Sequence, residues 1–231
     1  TVLLADLATD GGDTQLDALL PFGDRLFFVA STPALGLEPW LAQADGSAAA
    51  PIADLMPGQS STGPRDAVLW RDELWFGGSA PGVGIELLRS DGTAAGTRVA
   101  HDLVAGGGHS GPRQLTAAGT RLYFTATGDR GLEPLAPDGA TVRSVDVLPG
   151  GGSSNPTALC ALGDRLVFAA NDGVHGVEPF VWDGMAPTAT LLFFAIFTLA
   201  LGRSVEMVDG VGFAAFLVPG LVMMSVLQNA F

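Results

Sequence analysis

The sequence predicts a mainly β chain: a β-propeller or partial propeller of about four four-stranded blades over residues 1–185, followed by two hydrophobic α-helices of transmembrane type over 186–231. Three observations carry this. A unit of about 45–48 residues recurs four times, each copy divides into short apolar and β-branched runs separated by turn dipeptides, and charge almost vanishes after residue 185. Four antiparallel strands in ~45 residues is the arithmetic of a propeller blade.

The repeat is read from fixed points. Gly23-Asp24-Arg25-Leu26-Phe27-Phe28, Arg71-Asp72-Glu73-Leu74-Trp75-Phe76, Gly119-Thr120-Arg121-Leu122-Tyr123-Phe124 and Gly163-Asp164-Arg165-Leu166-Val167-Phe168 lie 48, 48 and 44 residues apart. Gly36-Leu37-Glu38, Gly84-Ile85-Glu86, Gly131-Leu132-Glu133 and Gly176-Val177-Glu178 recur in step, each followed by an apolar pair and then by Asp-Gly at 45, 91, 138 and 183. Asp6-Leu7, Asp54-Leu55, Asp102-Leu103 and Asp146-Val147 each lead into a loop rich in Gly, Ser and Pro.

Within the third copy, Gln114–Ala118 and Arg121–Thr127 read as strands on either side of Gly119, and a third strand lies around Glu133–Ala136. Asp138-Gly139 then turns the chain into a fourth strand over Thr141–Leu148. Asp-Gly suits a tight hairpin because both central positions of a type I′ turn need positive φ. No stretch of 1–185 sustains a period of 3.6, so helices should be few. A β-solenoid would have a shorter period, and independent hairpins would leave edges exposed. Thr1–Leu7 reads as a solitary fourth strand, while the last unit, Thr157–Gly184, has three strands and no fourth. A closed four-bladed ring could pair these ends; a window cut from a longer array ends the same way, and that reading is preferred.

The chain has 231 residues with 24 acidic and 11 basic side chains, every basic one an Arg, and a formal charge of −13. Without Lys it can host no Walker A loop, no protein-kinase phosphate site and no Schiff-base chemistry. The charge argues against nucleic acid as a partner. Cys160 alone allows no disulfide within the chain and no Cys-based zinc cage. Mean hydropathy is nevertheless +0.37. The two facts agree once the chain is divided, since 186–231 carries only Arg203, Glu206 and Asp209.

Residues 186–201 are almost wholly apolar, a polar loop follows over 202–210, and 211–231 has no charged residue. A bilayer span needs ~17–25 apolar residues, so the first stretch is just long enough and the second is comfortable. Neither has the basic leader of a signal peptide. This predicts the lipid bilayer as a partner through 186–231, and Arg203 alone does not set the orientation.

Two resemblances arise from particular residues. Gly84-Ile-Glu-Leu-Leu-Arg-Ser-Asp-Gly-Thr-Ala-Ala-Gly-Thr97 resembles the bacterial ELWxxDGTxxGT repeat, with His101-Asp102-Leu103 following; Glu38-Pro39-Trp40, Glu133-Pro134-Leu135 and Glu178-Pro179-Phe180 are more divergent copies. This likeness covers about 1–184 and implies an often exported repeat architecture. Phe213-Ala-Ala-Phe-Leu-Val-Pro-Gly-Leu-Val-Met-Met224 and the upstream Leu191–Gly202 resemble the first two membrane segments of ABC-2 type transporter permeases, over about 188–231. That likeness implies the bacterial inner membrane and a separate ATP-binding subunit as motor. Pro219-Gly220 is where such a helix could break. The two likenesses imply opposite sides of the membrane for the repeat, and both are incomplete near the join, so the chain reads as a fusion of two partial sequences.

Candidate chemistry is sparse. Glu38, Glu86, Glu133 and Glu178 could ring a channel and hold a cation, but a group repeated in every unit more often satisfies backbone groups in every unit. Asp6, Asp54, Asp102 and Asp146 could cap the loops that follow them. No loop has the calcium spacing Asp-x-Asp-x-Asp-Gly. His101, His109 and His175 do not follow the repeat and form no metal motif. Ser110, in Gly108-His-Ser-Gly-Pro112, misses a nucleophile elbow by one position. Gly106–Gly108 and Gly150–Gly152 resemble phosphate loops only in composition. Cys160 falls at an apolar strand position and reads as a core side chain. No catalytic, cofactor-binding or metal-ligating residue is assigned. The expected function is a non-enzymatic repeat or binding module of a bacterial envelope or exported protein, with a carbohydrate or protein ligand on its loops. The alternative is a truncated permease subunit with an appended repeat domain.

Overall fold

Each repeat copy becomes one antiparallel meander, because its turns join neighbouring runs into hairpins. The first sheet holds β1 (Leu16–Phe22), β2 (Arg25–Thr32), β3 (Gly36–Gln43) and β4 (Ala49–Pro51). The second holds β5 (Arg65–Trp70), β6 (Glu73–Ala80), β7 (Val83–Ser90) and β8 (Arg98–His101). The third holds β9 (Arg113–Ala118), β10 (Arg121–Gly128), β11 (Gly131–Asp138) and β12 (Thr141–Ser144). The fourth holds β13 (Thr157–Leu162), β14 (Arg165–Asn171) and β15 (Val177–Trp182). This computed structural model describes residues 3–7, 14–58, 60–185, 207–208 and 211–212. The chain divides into two units, Thr1–Gly184 and Met185–Phe231.

The sheets of the first unit pack face to face. Leu74, Phe76 and Leu88 of the second sheet join Phe22, Phe27 and Val29 of the first, with Ile52 from the connection between them. Trp75 and Leu87, on the other side of the second sheet, meet Leu122, Phe124 and Ala126 of the third. Ala118, Tyr123 and Ala136 of the third meet Leu166, Phe168, Ala170 and Trp182 of the fourth. Strands buried on both faces read as near-continuous apolar runs, which is why the Leu-aromatic-Phe triplet recurs. Each of these large side chains contributes roughly 1.5–3 kcal/mol by leaving water. The first strands of successive sheets lie side by side, β1 by β5, β5 by β9 and β9 by β13. The architecture is all-β and propeller-like, with four antiparallel sheets.

A backbone feature recurs that side-chain chemistry does not announce. The second residue of the first strand in three sheets, and the third in the first sheet, has positive φ: Asp66 at 52°, Gln114 at 53° and Ala158 at 54°, with Ala18 at 52°. The ladder slips at each of these places, a bulge that bends the first strand in every copy.

Several expectations need correction. Residues 3–7 are not a strand; Leu4 and Leu7 pack instead against a cluster of Phe28, Ala30, Trp40 and Ala42 on the first sheet. The fourth strand of the third copy stops at Ser144, because Val145 and Val147 turn into the core with Tyr123 and Leu166. Val211–Gly212 pairs antiparallel with Met207–Val208 as β17 (Val211–Gly212) and β16 (Met207–Val208), so the second apolar stretch does not begin as a helix. Asp209-Gly210 lies between them in sequence, a dipeptide that favours hairpins. No helix occurs among the described residues, and none there is long and apolar enough to cross a membrane. The two expected membrane helices otherwise lie outside the described residues.

Candidate functional site: carboxylate latches and an arginine–tryptophan cleft

Three of the four recurring glutamates are buried, at 0% exposure for Glu38 and Glu86 and 1% for Glu133. Each sits on the third strand of its sheet and grips the loop that leads to the next one. Glu86 Oε1 accepts the Ser110 N–H at 2.8 Å, while Oε2 accepts the Ser110 hydroxyl at 2.5 Å and the Leu103 N–H at 3.0 Å. Glu133 repeats the set with the Ser154 N–H at 2.8 Å, the Ser154 hydroxyl at 2.6 Å and the Val147 N–H at 3.2 Å. Glu38 keeps only the Thr62 N–H, at 2.7 Å; its Oε2 and the Thr62 hydroxyl are buried without partners. A second bond accompanies each grip. Ser61, His109 and Ser153 side chains accept the N–H of Leu37, Ile85 and Leu132, the residue just before each glutamate. Burial pushes the Glu38 and Glu133 carboxyls above the usual range, against the pull of their Thr62 and Ser154 partners.

These carboxylates are therefore latches, and they do not converge on a cation. No group of three metal-binding side chains occurs among the described residues. Ser110 donates to Glu86, and the His109 ring accepts the Ile85 N–H. Glu178, in the fourth copy, is exposed. The expected Asp caps are not formed: Asp54 and Asp102 accept no turn N–H among the described residues, and the loops are held by the glutamates instead. Asp146 lies 3.7 Å from Arg130, with its Oδ1 buried and unpartnered. Asp6 is exposed beside Leu7. His101 is held below the ordinary histidine range by burial and, secondarily, by Arg89. His175 is raised by its 2.7 Å contact with Asp172, an exposed pair at a turn. Cys160 lies on β13 but is exposed, not in the core. No helix follows Gly106–Gly108 or Gly150–Gly152, so neither cradles a phosphate at a helix start.

The concave site that remains lies between the second and third sheets. A cavity of about 340 Å³ is lined by Trp70, Arg71, Glu73, Trp75, Arg89, Arg121 and Asp138, among others. Trp70 and Trp75 meet edge to face with ring centroids 5.5 Å apart. The Arg71 guanidinium stacks 4.4 Å over Trp70 and donates to the Thr120 carbonyl at 2.9 Å, bridging the two sheets. Arg89 pairs with Glu73 at 3.2 Å, and Arg143 pairs with Asp138 at 2.6 Å. Each lining carboxylate is thus paired with an arginine, and Arg71 is held between the Trp70 ring and the Thr120 carbonyl.

None of these residues stands out as a motif, yet a signal was present. Arg71 occupies the position of Gly23, Gly119 and Gly163, and Glu73 that of Arg25, Arg121 and Arg165. Arg71 and Asp72 have φ of 52° and 59°, where the other copies place glycine first at 61°, 53° and 61°. Holding a long side chain in the left-handed region costs roughly 1–2 kcal/mol. Such an outlier is a reason to look for function. A second cleft of about 210 Å³ between the first and second sheets is lined by Arg25, Leu41, Gln43 and Thr93 and has no comparable group of arginines and indoles.

The fold and this cleft define a propeller-like repeat protein with a single-copy polar site on an otherwise periodic scaffold. No family model matches the chain, and no curated protein matches it. Among solved structures it is similar to a puromycin hydrolase, at 16% identity and a TM-score of 0.51, over 73% of this chain and 27% of that one. It is also similar to an acylaminoacyl peptidase from Pyrococcus horikoshii, at 13% identity and a TM-score of 0.45, over 78% of this chain and 28% of that one. The chain spans only about a quarter of the length of either. At such identity the first likeness shows the fold alone, and the hydrolytic activity belongs to those proteins.

Proposed function

We propose that residues 1–185 form a non-enzymatic binding module whose cleft between the second and third sheets takes an acidic carbohydrate. The observation that carries this is the gathering of Arg71, Arg89 and Arg121 beside the half-buried Trp70 around one cavity of an otherwise acidic chain. Aromatic rings offer flat apolar surface to the faces of sugar rings, and guanidinium groups bind carboxylate or sulfate through paired N–H donors. The tail, whose composition suits lipid, holds the module at a bacterial membrane. Binding of the full chain to an array of neutral and uronate- or sulfate-bearing oligosaccharides tests the reading. Retention on acidic members that weakens with salt supports it, and equal retention on neutral members overturns it.

A second reading rests on Phe213–Met224 and its likeness to ABC-2 permeases: a transporter subunit carrying the repeat as an appendage and driven by a separate ATPase chain. Co-purification with an ATP-binding protein would support it, and repeated absence of one would count against it.

A further inference from the structure

At one rim, an arginine closes the gap between successive sheets. The residue that opens the second strand is Arg25 in the first copy and Arg121 in the third, and each reaches the Asp-Gly turn of the following sheet. A Cβ on Gly92 would lie 2.9 Å from Arg25 Nη2 and 3.3 Å from Leu41 Cδ1, and one on Gly184 would lie 2.9 Å from Arg121 Cδ.

The second copy departs from this at two positions on the same face. Glu73 opens its second strand, in the place of Arg25 and Arg121. Arg89, three residues after Glu86, stands where Leu41 and Ala136 follow Glu38 and Glu133. The two exchanged residues pair with each other. Arg89 Nη1 donates to both Glu73 carboxylate oxygens, at 3.3 and 3.2 Å, and the guanidinium lies 5.9 Å over the Trp75 ring of the same sheet. Glutamate is too short to replace the reach of arginine, and Arg89 is drawn along its own sheet. The turn of the third sheet is left clear: a Cβ on Gly139, the counterpart of Gly92 and Gly184, would meet nothing within 4 Å.

The effect appears in the sizes of the two clefts, about 340 Å³ between the second and third sheets and about 210 Å³ between the first and second. Small-molecule sites span roughly 300–1,000 Å³, and of these two only the larger falls in that range. Stability is a poor reason for the exchange. The Arg89 and Glu73 side chains are 32% and 29% exposed, and a pair so placed contributes about 0–1 kcal/mol.

We propose that Glu73 and Arg89 together determine the specificity of this cleft. Paired with each other in place of an arginine and an apolar residue, they hold open the space that a ligand enters and keep Arg89 at its wall for the ligand's acidic group. The identity of that group rests on the acidic-carbohydrate reading above; the opening of the cleft does not.

The test restores the first copy's residues in the full-length chain, as Glu73→Arg with Arg89→Leu, beside Glu73→Gln, which keeps the side chain's shape and an acceptor for Arg89. Trp70 reports on the cleft, because it lines it and is half-buried, while Trp40, Trp75 and Trp182 are buried. Acrylamide quenching of tryptophan fluorescence should fall at least twofold in the double variant at a little-changed melting temperature and stay unchanged in Glu73→Gln. Uronate binding should be lost in the double variant together with the quenching. Quenching that stays at the unsubstituted level in the double variant, or falls equally in Glu73→Gln, overturns the proposal, as does uronate binding that persists after quenching has fallen. A double variant that does not fold also overturns it, because the first sheet carries the same residues in the same places. If quenching falls as expected but the unsubstituted chain binds no uronate, the opening stands and the acidic-carbohydrate reading alone fails.

Discussion

Replacing Glu86 by Ala removes the acceptor of three hydrogen bonds from a site without exposure to water. The Ser110 hydroxyl can rotate to another acceptor, but the Leu103 and Ser110 N–H groups cannot. Each buried donor left without a partner costs about 1–3 kcal/mol, so the two together cost about 2–6 kcal/mol. Set against a total of about 5–15 kcal/mol for a protein domain, this is a large fraction. Glu178→Ala provides the contrast, because Glu178 is exposed, and its effect should stay within about 0.5 kcal/mol. Glu86→Gln keeps one acceptor oxygen and should fall between the two. Urea unfolding of the full chain, followed by tryptophan fluorescence, reads the difference; Trp75 and Trp182 are both buried in inter-sheet cores. With a slope of about 2 kcal/mol/M, Glu86→Ala should lower the midpoint by about 1–3 M. Equal midpoints for Glu86→Ala and Glu178→Ala would refute the latch.

Other outcomes follow from the same geometry. Burial raises Glu38 and Glu133 in the folded state, so their contribution to stability grows as pH falls through their folded values towards 4.5 and is lost as pH rises. His175, also raised, acts in the same direction above its ordinary 6.5, whereas His101, lowered, opposes below it. The melting temperature should rise from pH 8 to about 5, and Glu133→Gln should flatten that rise; a melting temperature that falls over this range would count against the assignment. Gly92 has φ of +83°, and a Cβ there would lie 2.5 Å from Phe22 Cε1, whereas Gly82, at +78°, has open space around it. Gly92→Ala should therefore destabilise by about 2–4 kcal/mol and Gly82→Ala by about 1–2 kcal/mol, compared by thermal unfolding.

Much of the scaffold was legible because periodicity is a statement about packing. The Leu-aromatic-Phe triplet marks a strand buried on both faces, and the glutamates recur because each secures one loop. Thr62, Ser110 and Ser154 were harder to see, since a latch 21–24 residues long has no local signature. The bulge at Ala18, Asp66, Gln114 and Ala158 was invisible, because it is set by strand curvature and not by residue type. Cys160 was misplaced for a related reason: its strand position is apolar in pattern, but the face it occupies has no neighbour among the described residues. The cleft has no signature in the repeat, because Arg71 and Glu73 occur at those positions in one copy only. Arg71 in a glycine position was the available signal.

The cleft is tested most directly by Arg71→Gly. The substitution relieves roughly 1–2 kcal/mol of backbone strain and gives up stacking on Trp70 and the bond to Thr120, each worth about 0.5–1.5 kcal/mol, so stability should change little. Titration of the full-length protein with a uronate oligosaccharide, followed by tryptophan fluorescence, should give a saturable change in the unsubstituted chain. Affinity should drop at least tenfold in Arg71→Gly at an unchanged melting temperature. An affinity that survives the substitution would contradict the account.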